Sequence, residues 1–426
     1  MTGSRFAGTR GSVGYRGAVL TPSAASDDVV YHDDAVLVIA RDGSIVGVYP
    51  ADDAGRASIV HDLRGSLIVP GFVDNHVHYP QTRIVGSASG PLLDWLERSV
   101  FPEEARFTDE GYARAVAREF VVACAARGTT TVGAYASSSS AATHVLFETL
   151  ADSGLRAVAG LVLMDQNCPP ALSVPADRAL ASCRELAGRW HEAHAGRLSF
   201  AIVPRFAISC SRALLEGAAA VAADLDLCVM THVSENPSEE ADTLAVHPWA
   251  TDYLGVYEAV GLVGRRTVLA HAIHLSGSEW DRVAERGASI AHCPDSNFFL
   301  GSGVMRLGEA RRRGITVGLG TDVAAGRSFD VRRTASHAYD AALIASSAAT
   351  PAELFTLATL GGARSLGLGD RVGTLEPGKE ADFAVIDRPA HATGLEGALR
   401  TVLFGSEMAP VSRTYVRGRL VWSRMS

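Results

Sequence analysis

The chain has 426 residues, 47% hydrophobic and 20% charged, with a formal net charge of −8. This composition suits a folded protein with a large core and excludes disorder, and the acidic balance argues against nucleic acid or an anionic membrane as the main partner. Met1 to Gly14 hold arginines but no continuous apolar stretch, so no secretory signal is read there. No run approaches a membrane span, and six scattered cysteines without a Cys-x-x-Cys pair suit reduced thiols in a cytoplasm.

Residues 15–66 read as short β-rich pieces. Ala35–Ala40 and Ile45–Tyr49 flank Asp42-Gly43, a hairpin signal. From Leu67 to Asp322, short apolar runs alternate with longer amphipathic ones. The strand-like runs are 67–73, 129–135, 156–163, 198–204, 227–232, 267–271, 288–292 and 315–321, with helix-like stretches such as Ala105–Ala126 and Asp177–Ala195 between them. Gly128, Gly154, Gly287 and Gly314 fall where helices should stop, and Ser276 to Glu279 reads as a capping box. Eight strand–helix alternations over roughly 250 residues match the size of a (β/α)₈ TIM-type barrel. An open doubly wound sheet is the runner-up, since periodicity alone cannot close a sheet. Beyond the barrel, Thr350, Pro351 and Glu353 open a last capped helix, and strands return at Asp382–Ile386 and Arg413–Trp422. The expected organisation is a barrel with C-terminal helices over 67–370, with 1–66 and 371–426 together building one small β-sandwich domain.

The chemistry concentrates at the ends of the apolar runs. His76 and His78 lie two apart, so on a strand their imidazoles face the same side. A lone His-x-His is most often a pair of hydrogen-bonded surface histidines. Here three more run ends carry His232, His271 and Asp322, and neutral imidazoles with one carboxylate suit zinc or ferrous iron with a position left for water. These four run ends belong to strands one, five, six and eight, at the face where barrels place catalytic groups. Glu235, three residues past His232, reads as a general acid–base group in preference to a helix N-terminal carboxylate. Lys379 is the only lysine, so no barrel lysine is available to bridge two metals, and a single ion is expected. His191 and His194 are three apart, not four, and read as an exposed helix end. His274 and His337 read as solvated, His292 as a neighbour of the site and Cys293 as packing. Trp95 reads first as core.

Several stretches carry a family resemblance: Pro70 to Gln81, Leu92 to Glu97, Phe101 to Phe107 and Gly128 to Thr131. Met164 to Asn167, Pro204-Arg205-Phe206, Thr231 to Asn236, Ala291 to Pro294, Gly320-Thr321-Asp322 and Leu360 to Arg364 continue it. From about residue 68 to about 387 the chain resembles the amidohydrolase superfamily and, within it, the guanine deaminase family. The resemblance implies one zinc per subunit, held by His76, His78, His232 and Asp322, with His271 beside the metal and its water. It implies that Gln81, Arg205, Phe206, His232, Glu235 and Asp322 contact a purine, and that Glu235, Asp322 and His271 are catalytic. The implied enzyme is a homodimeric aminohydrolase taking guanine to xanthine and ammonia by attack of a metal-activated water at C2. Alone, Gln81 would be a solvated loop amide, Arg205 a rim ion pair and Phe206 core. A guanidinium fork nonetheless matches the O6 and N7 edge of guanine.

One departure stands out: Ala325 replaces the first of two expected glycines, with Arg327 close behind. The expectation is that Ala325 restricts the backbone and that Arg327 adds a cation at the pocket mouth. Either would shift preference to a modified purine or a pterin-like ring; a sibling deaminase acting on 8-oxoguanine or cytosine is a further alternative. A metal-free pseudoenzyme is the remaining alternative, and the presence of His76, His78, His232, His271, Asp322 and Glu235 together argues against it.

Overall fold

The computed structural model describes residues 11–52, 57–87 and 90–425. Residues 1–10, most of the stretch searched for a secretory signal, lie outside the described residues.

Eight parallel strands pair in chain order: Phe72–His78, Thr129–Tyr135, Arg156–Gly160, Leu198–Pro204, Cys228–Val233, Thr267–His271, Ser289–His292 and Val317–Leu319. Val162–Leu163 extends the third beyond a break and pairs with the fourth. The two ends of this array then meet. The Asp322 N–H donates to the His76 carbonyl at 2.8 Å, and the His78 N–H donates to the Val323 carbonyl at 3.2 Å. Thr321 adds its N–H and its hydroxyl to the buried Asp74 carboxylate at 2.8 and 2.5 Å. The sheet is therefore a barrel and not an open doubly wound sheet. Near-continuous burial along its strands explains why they read as unbroken apolar runs.

The run expected as one strand at 67–73 is divided. Leu67 to Pro70 end a long strand of the small sheet, Ile59–Pro70, and the first barrel strand starts at Phe72. Pro70-Gly71 marks this handover, which apolar character alone did not reveal. Arg413–Trp422 likewise proves to be two strands, Val411–Val416 and Arg419–Ser423, joined by a turn in which Arg417 and Gly418 have positive φ.

The small domain is one ladder of seven strands from both chain ends. Its order is Arg419–Ser423, Val411–Val416, Phe383–Asp387, Ile59–Pro70, Val13–Pro22, Val29–Ile39, Ile45–Pro50. Tyr15 and Tyr415 stand three strands apart in this order, about 14 Å along a flat sheet, yet their ring centroids lie 5.2 Å apart. The ladder therefore curls over its own core, which holds Tyr15, Val19, Leu37, Phe383 and Tyr415. The predicted Asp42-Gly43 hairpin joins its last two strands.

Local signals hold where their mechanism is local. Gly154 and Gly287 cap helices in the left-handed conformation, Ser276 and Glu279 form both halves of a capping box, and the Thr350 hydroxyl accepts from the Glu353 N–H. The helix expected over 105–126 is shorter, Glu110–Ala125, because Asp109 caps it. The one expected over 177–195 is Ala176–Trp190, after which Glu192, His194 and Ala195 turn left-handed. The carbonyls of His194, Ala195 and Gly196 accept from Arg371 and Arg417. Those arginines share Glu380 with the fully buried Arg156, which also pairs with Asp382 at 2.9 Å. This ionic cluster ties the small domain to the barrel. Among the described residues, no helix is long and apolar enough to cross a membrane.

Candidate active site

The C-terminal strand ends bring the predicted groups together. The ligand atoms of His76, His78 and His232, and of His76, His271 and Asp322, form two overlapping clusters whose members lie within 4.8 Å of one another. Asp322 Oδ1 stands 3.2 Å from His76 Nε2 and 3.4 Å from His78 Nε2, and Oδ2 stands 3.8 Å from His271 Nε2. His232 Nε2 faces His78 Nε2 at 3.3 Å. Every one of these side chains is buried.

The backbone is bent to make this convergence. Ser234, His271, Ala272 and Asp322 all have positive φ, between 48° and 69°. Such conformations cost roughly 1–3 kcal/mol each and collect where a site over-determines the chain. Gly320 is required for space: a Cβ there would lie 2.6 Å from His76 Cβ and 2.9 Å from Cys293 Sγ.

Two imidazoles are oriented from behind. His232 Nδ1 donates to the Arg205 carbonyl at 2.5 Å, and His271 Nδ1 donates to Asn297 Oδ1 at 2.9 Å. Each therefore turns an Nε2 lone pair to the centre. Burial lowers the pKa of His76 and holds His78 and His232 well below the usual imidazole range, which keeps them in the neutral form that binds metal. Burial would raise Asp322, but His76 and His271 outweigh it and hold the carboxyl down to about 2. The Nε2 atoms of His76 and His271 are buried without a hydrogen-bond partner among the described residues. An orphaned polar atom costs about 1–3 kcal/mol, and a cation at the centre would satisfy both. The donor set fits a metal ion, and the cluster is a histidine-rich metal-binding site.

Beside it lies a small cavity that is partly open to solvent. His78, His232, His271, Asp322, Glu235, Gln81, Arg205 and Phe206 line it, all of them named from the sequence. Burial, reinforced by the charge of Asp322, pushes the Glu235 carboxyl well above its ordinary range. Its Oε2 lies 3.5 Å from His271 Nε2, and its Oε1 accepts from the Ser302 hydroxyl at 3.3 Å. Leu92, Trp95, Leu96 and Leu300 add an apolar roof, so Trp95 is both packed and part of the pocket.

Sequence reasoning missed Glu104. It is buried, accepting from Gln81 Nε2 at 3.0 Å and from Arg205 Nη1 at 2.5 Å. Glu103 beside it looks the same in sequence but holds Tyr112 and Arg106 instead, so only tertiary position separates them. Asn297 and Ser302 were likewise unmarked.

Three expectations are corrected. Arg327 is not a cation of the pocket: it ion-pairs with the buried Asp295 and lies over Phe299. Ala325 lines the cavity without positive φ, so its methyl group costs the backbone nothing. The glycine the turn requires is Gly326, where a Cβ would lie 1.6 Å from the Thr321 carbonyl oxygen. His274 is not simply solvated, since its Nε2 donates to the Ser302 carbonyl at 2.8 Å. His337 is half-buried against Asp295 at 3.5 Å, and His292 is buried with neither ring nitrogen partnered among the described residues. His194 is exposed past its helix end, as read.

The amidohydrolase family matches residues 67–421. Guanine deaminase of Escherichia coli is 40% identical over 375 residues, covering 86% of this chain and 85% of that protein. A probable guanine deaminase of Deinococcus radiodurans is 38% identical over 435 residues, covering 96% and 98%. Among solved structures, the E. coli guanine deaminase superposes with a TM-score of 0.92 at 36% identity, over 97% of this chain and all of that one. A guanine deaminase from C. acetobutylicum, with guanine bound in its active site, superposes with a TM-score of 0.90 at 30% identity, over 96% and 100%. The chain belongs to the amidohydrolase family, within its guanine deaminase branch.

Proposed function

We propose that the protein hydrolyses guanine to xanthine and ammonia, with one zinc ion per subunit held by His76, His78, His232 and Asp322 and with His271 beside it. The observation that carries this reading is one cavity shared by three groups. They are the imidazole–carboxylate cluster, a carboxyl that burial pushes well above its ordinary range, and the Gln81–Arg205 pair. Neutral imidazoles with one carboxylate suit zinc. A zinc ion bound there would lower the pKa of its water to about 7 and supply a nucleophile at neutral pH.

The chain's own groups account for the rest. Arg205 and Gln81 hold the polar edge of the ring, Phe206 lies against its face, and the leucines and Trp95 exclude bulk water. Asp322, ionised, accepts a proton from the water that attacks C2. Glu235 donates a proton to the adjacent ring nitrogen as that carbon becomes tetrahedral. It then carries the proton of the new C2 hydroxyl to the amine as the C–N bond breaks and the carbonyl forms, and the proton held by Asp322 restores its acid form. Six free cysteines suit a reducing cytoplasm. Exposed Leu395, Phe404 and Met408 around an apolar groove support a homodimer, which sedimentation would test.

The deciding experiment is ammonia release by zinc-loaded protein from guanine, 8-oxoguanine, cytosine, adenine and a pterin. Release from guanine with xanthine as product is expected. Turnover confined to another ring would overturn the substrate, and no turnover on any of them would favour the pseudoenzyme.

A further inference from the structure

We propose that Glu104 is a positioning residue that fixes the hydrogen-bonding polarity of Gln81 and Arg205, so that the pocket selects rings with a lactam edge. The inference rests on the proposed function and names how its substrate edge is chosen.

A primary amide can be turned end for end at little cost unless its neighbours forbid it. Gln81 has such neighbours at both ends. Its Nε2 donates to Glu104 Oε1 at 3.0 Å, and its Oε1 accepts the Ala324 N–H at 3.0 Å. A carboxylate paired with a guanidinium offers no proton, and a backbone N–H offers no lone pair. Turning the amide would set acceptor against acceptor and donor against donor in a buried place, so one orientation is enforced. The same carboxylate holds Arg205 Nη1 through its other oxygen at 2.5 Å, with the guanidinium 5.5 Å from the Phe101 ring. Arg205 Nη2 has no protein partner among the described residues.

Glu104 thus puts two donor groups, Gln81 Nε2 and Arg205, on one side of the wall. The amide oxygen, with a lone pair to spare, lies on the side of Ala324. A ring matches this order when a carbonyl faces the donors and an adjacent N–H faces the oxygen. That is the lactam edge of a 6-oxopurine. A 6-aminopurine presents the reverse order, a ring acceptor beside an amino donor, and a ring without the carbonyl leaves the donors unfilled. Sites built around such buried groups reject a ring that cannot pair them, by factors far above those of apolar pockets.

The test is equilibrium binding of hypoxanthine, which has the lactam but no amine at C2, against unsubstituted purine. It uses the zinc-loaded wild type, Glu104→Gln and Glu104→Asp, alongside guanine turnover. The wild type should prefer hypoxanthine at least about 100-fold, and Glu104→Gln should narrow that preference at least about tenfold. The guanine KM of Glu104→Gln should rise more than its kcat falls, with zinc content unchanged. Glu104→Asp, which keeps the acceptor, should recover part of the preference if Glu104→Gln folds poorly. An unchanged preference in Glu104→Gln, or a wild type that does not distinguish the two rings, overturns the inference. A wild type that distinguishes them yet releases no ammonia from guanine leaves the inference standing and sinks the proposed function, so the two failures are separate.

Discussion

Replacing Glu235 with glutamine keeps the side chain's volume and its contact with Ser302 while removing a transferable proton. Burial, reinforced by the charge of Asp322, pushes the native carboxyl well above its ordinary range and so favours the acid form. In the resting site Asp322 is held ionised down to about 2, and His271 commits its Nδ1–H to Asn297. A positioned general acid contributes about 10²–10⁴-fold, roughly 3–5 kcal/mol of barrier at 1.36 kcal/mol per decade. The loss in kcat should be about 10³-fold, the middle of that range. Zinc content and thermal midpoint should stay at wild-type values, because Glu235 lies outside the expected ligand set. The assay is steady-state ammonia release on guanine, with metal content measured on the same preparation. Turnover within fivefold of wild type in a fully loaded variant would refute Glu235 as the proton donor.

Asp322→Ala should lose both bound zinc and turnover, and an active, fully loaded variant would sink its assignment. Gly320→Ala forces a Cβ to 2.6 Å from His76 Cβ; elemental analysis should show weaker metal retention and calorimetry a fall of several degrees in Tm. Glu380 offers a stability test away from the site. Burial would raise its carboxyl, but Arg417 and Arg156 outweigh that and bring it from 4.5 down to about 2. A group depressed on folding stabilises above its unfolded pKa and loses that contribution as pH falls through the folded one, here between about pH 4.5 and 2. Discounted for partial exposure, the contribution is about 1–2 kcal/mol. Wild type should therefore melt above Glu380→Gln at pH 7, and the gap should narrow by pH 3 and close only below about pH 2. A gap independent of pH would contradict the ion-pair account.

The barrel and its metal cluster were legible because their signals are one-dimensional. His76 and His78 alternate on a strand, and His232, His271 and Asp322 each end an apolar run, so order along the chain predicts convergence. Glu104 was not legible, since nothing local distinguishes it from Glu103. What separates them is a roof segment folding over Gln81 and Arg205. The same reason hid the handover at Pro70-Gly71, where one apolar stretch serves two sheets, and made Arg327 look like a pocket cation when Asp295 had already claimed it. Local chemistry was read correctly at Ser276 and Thr350, where cap and partner are three residues apart.

Arg205 serves the site with both of its ends. Its carbonyl orients His232, while its guanidinium reaches into the cavity. The carbonyl is common to every residue type, so if Arg205 holds the ring as proposed, a codon change at position 205 would alter which ring is welcomed while the carbonyl behind His232 stays in the chain. On that proposal, ring choice and hydrolytic power are separable traits. A lineage could drift from one heterocycle to another through intermediates that all still activate water.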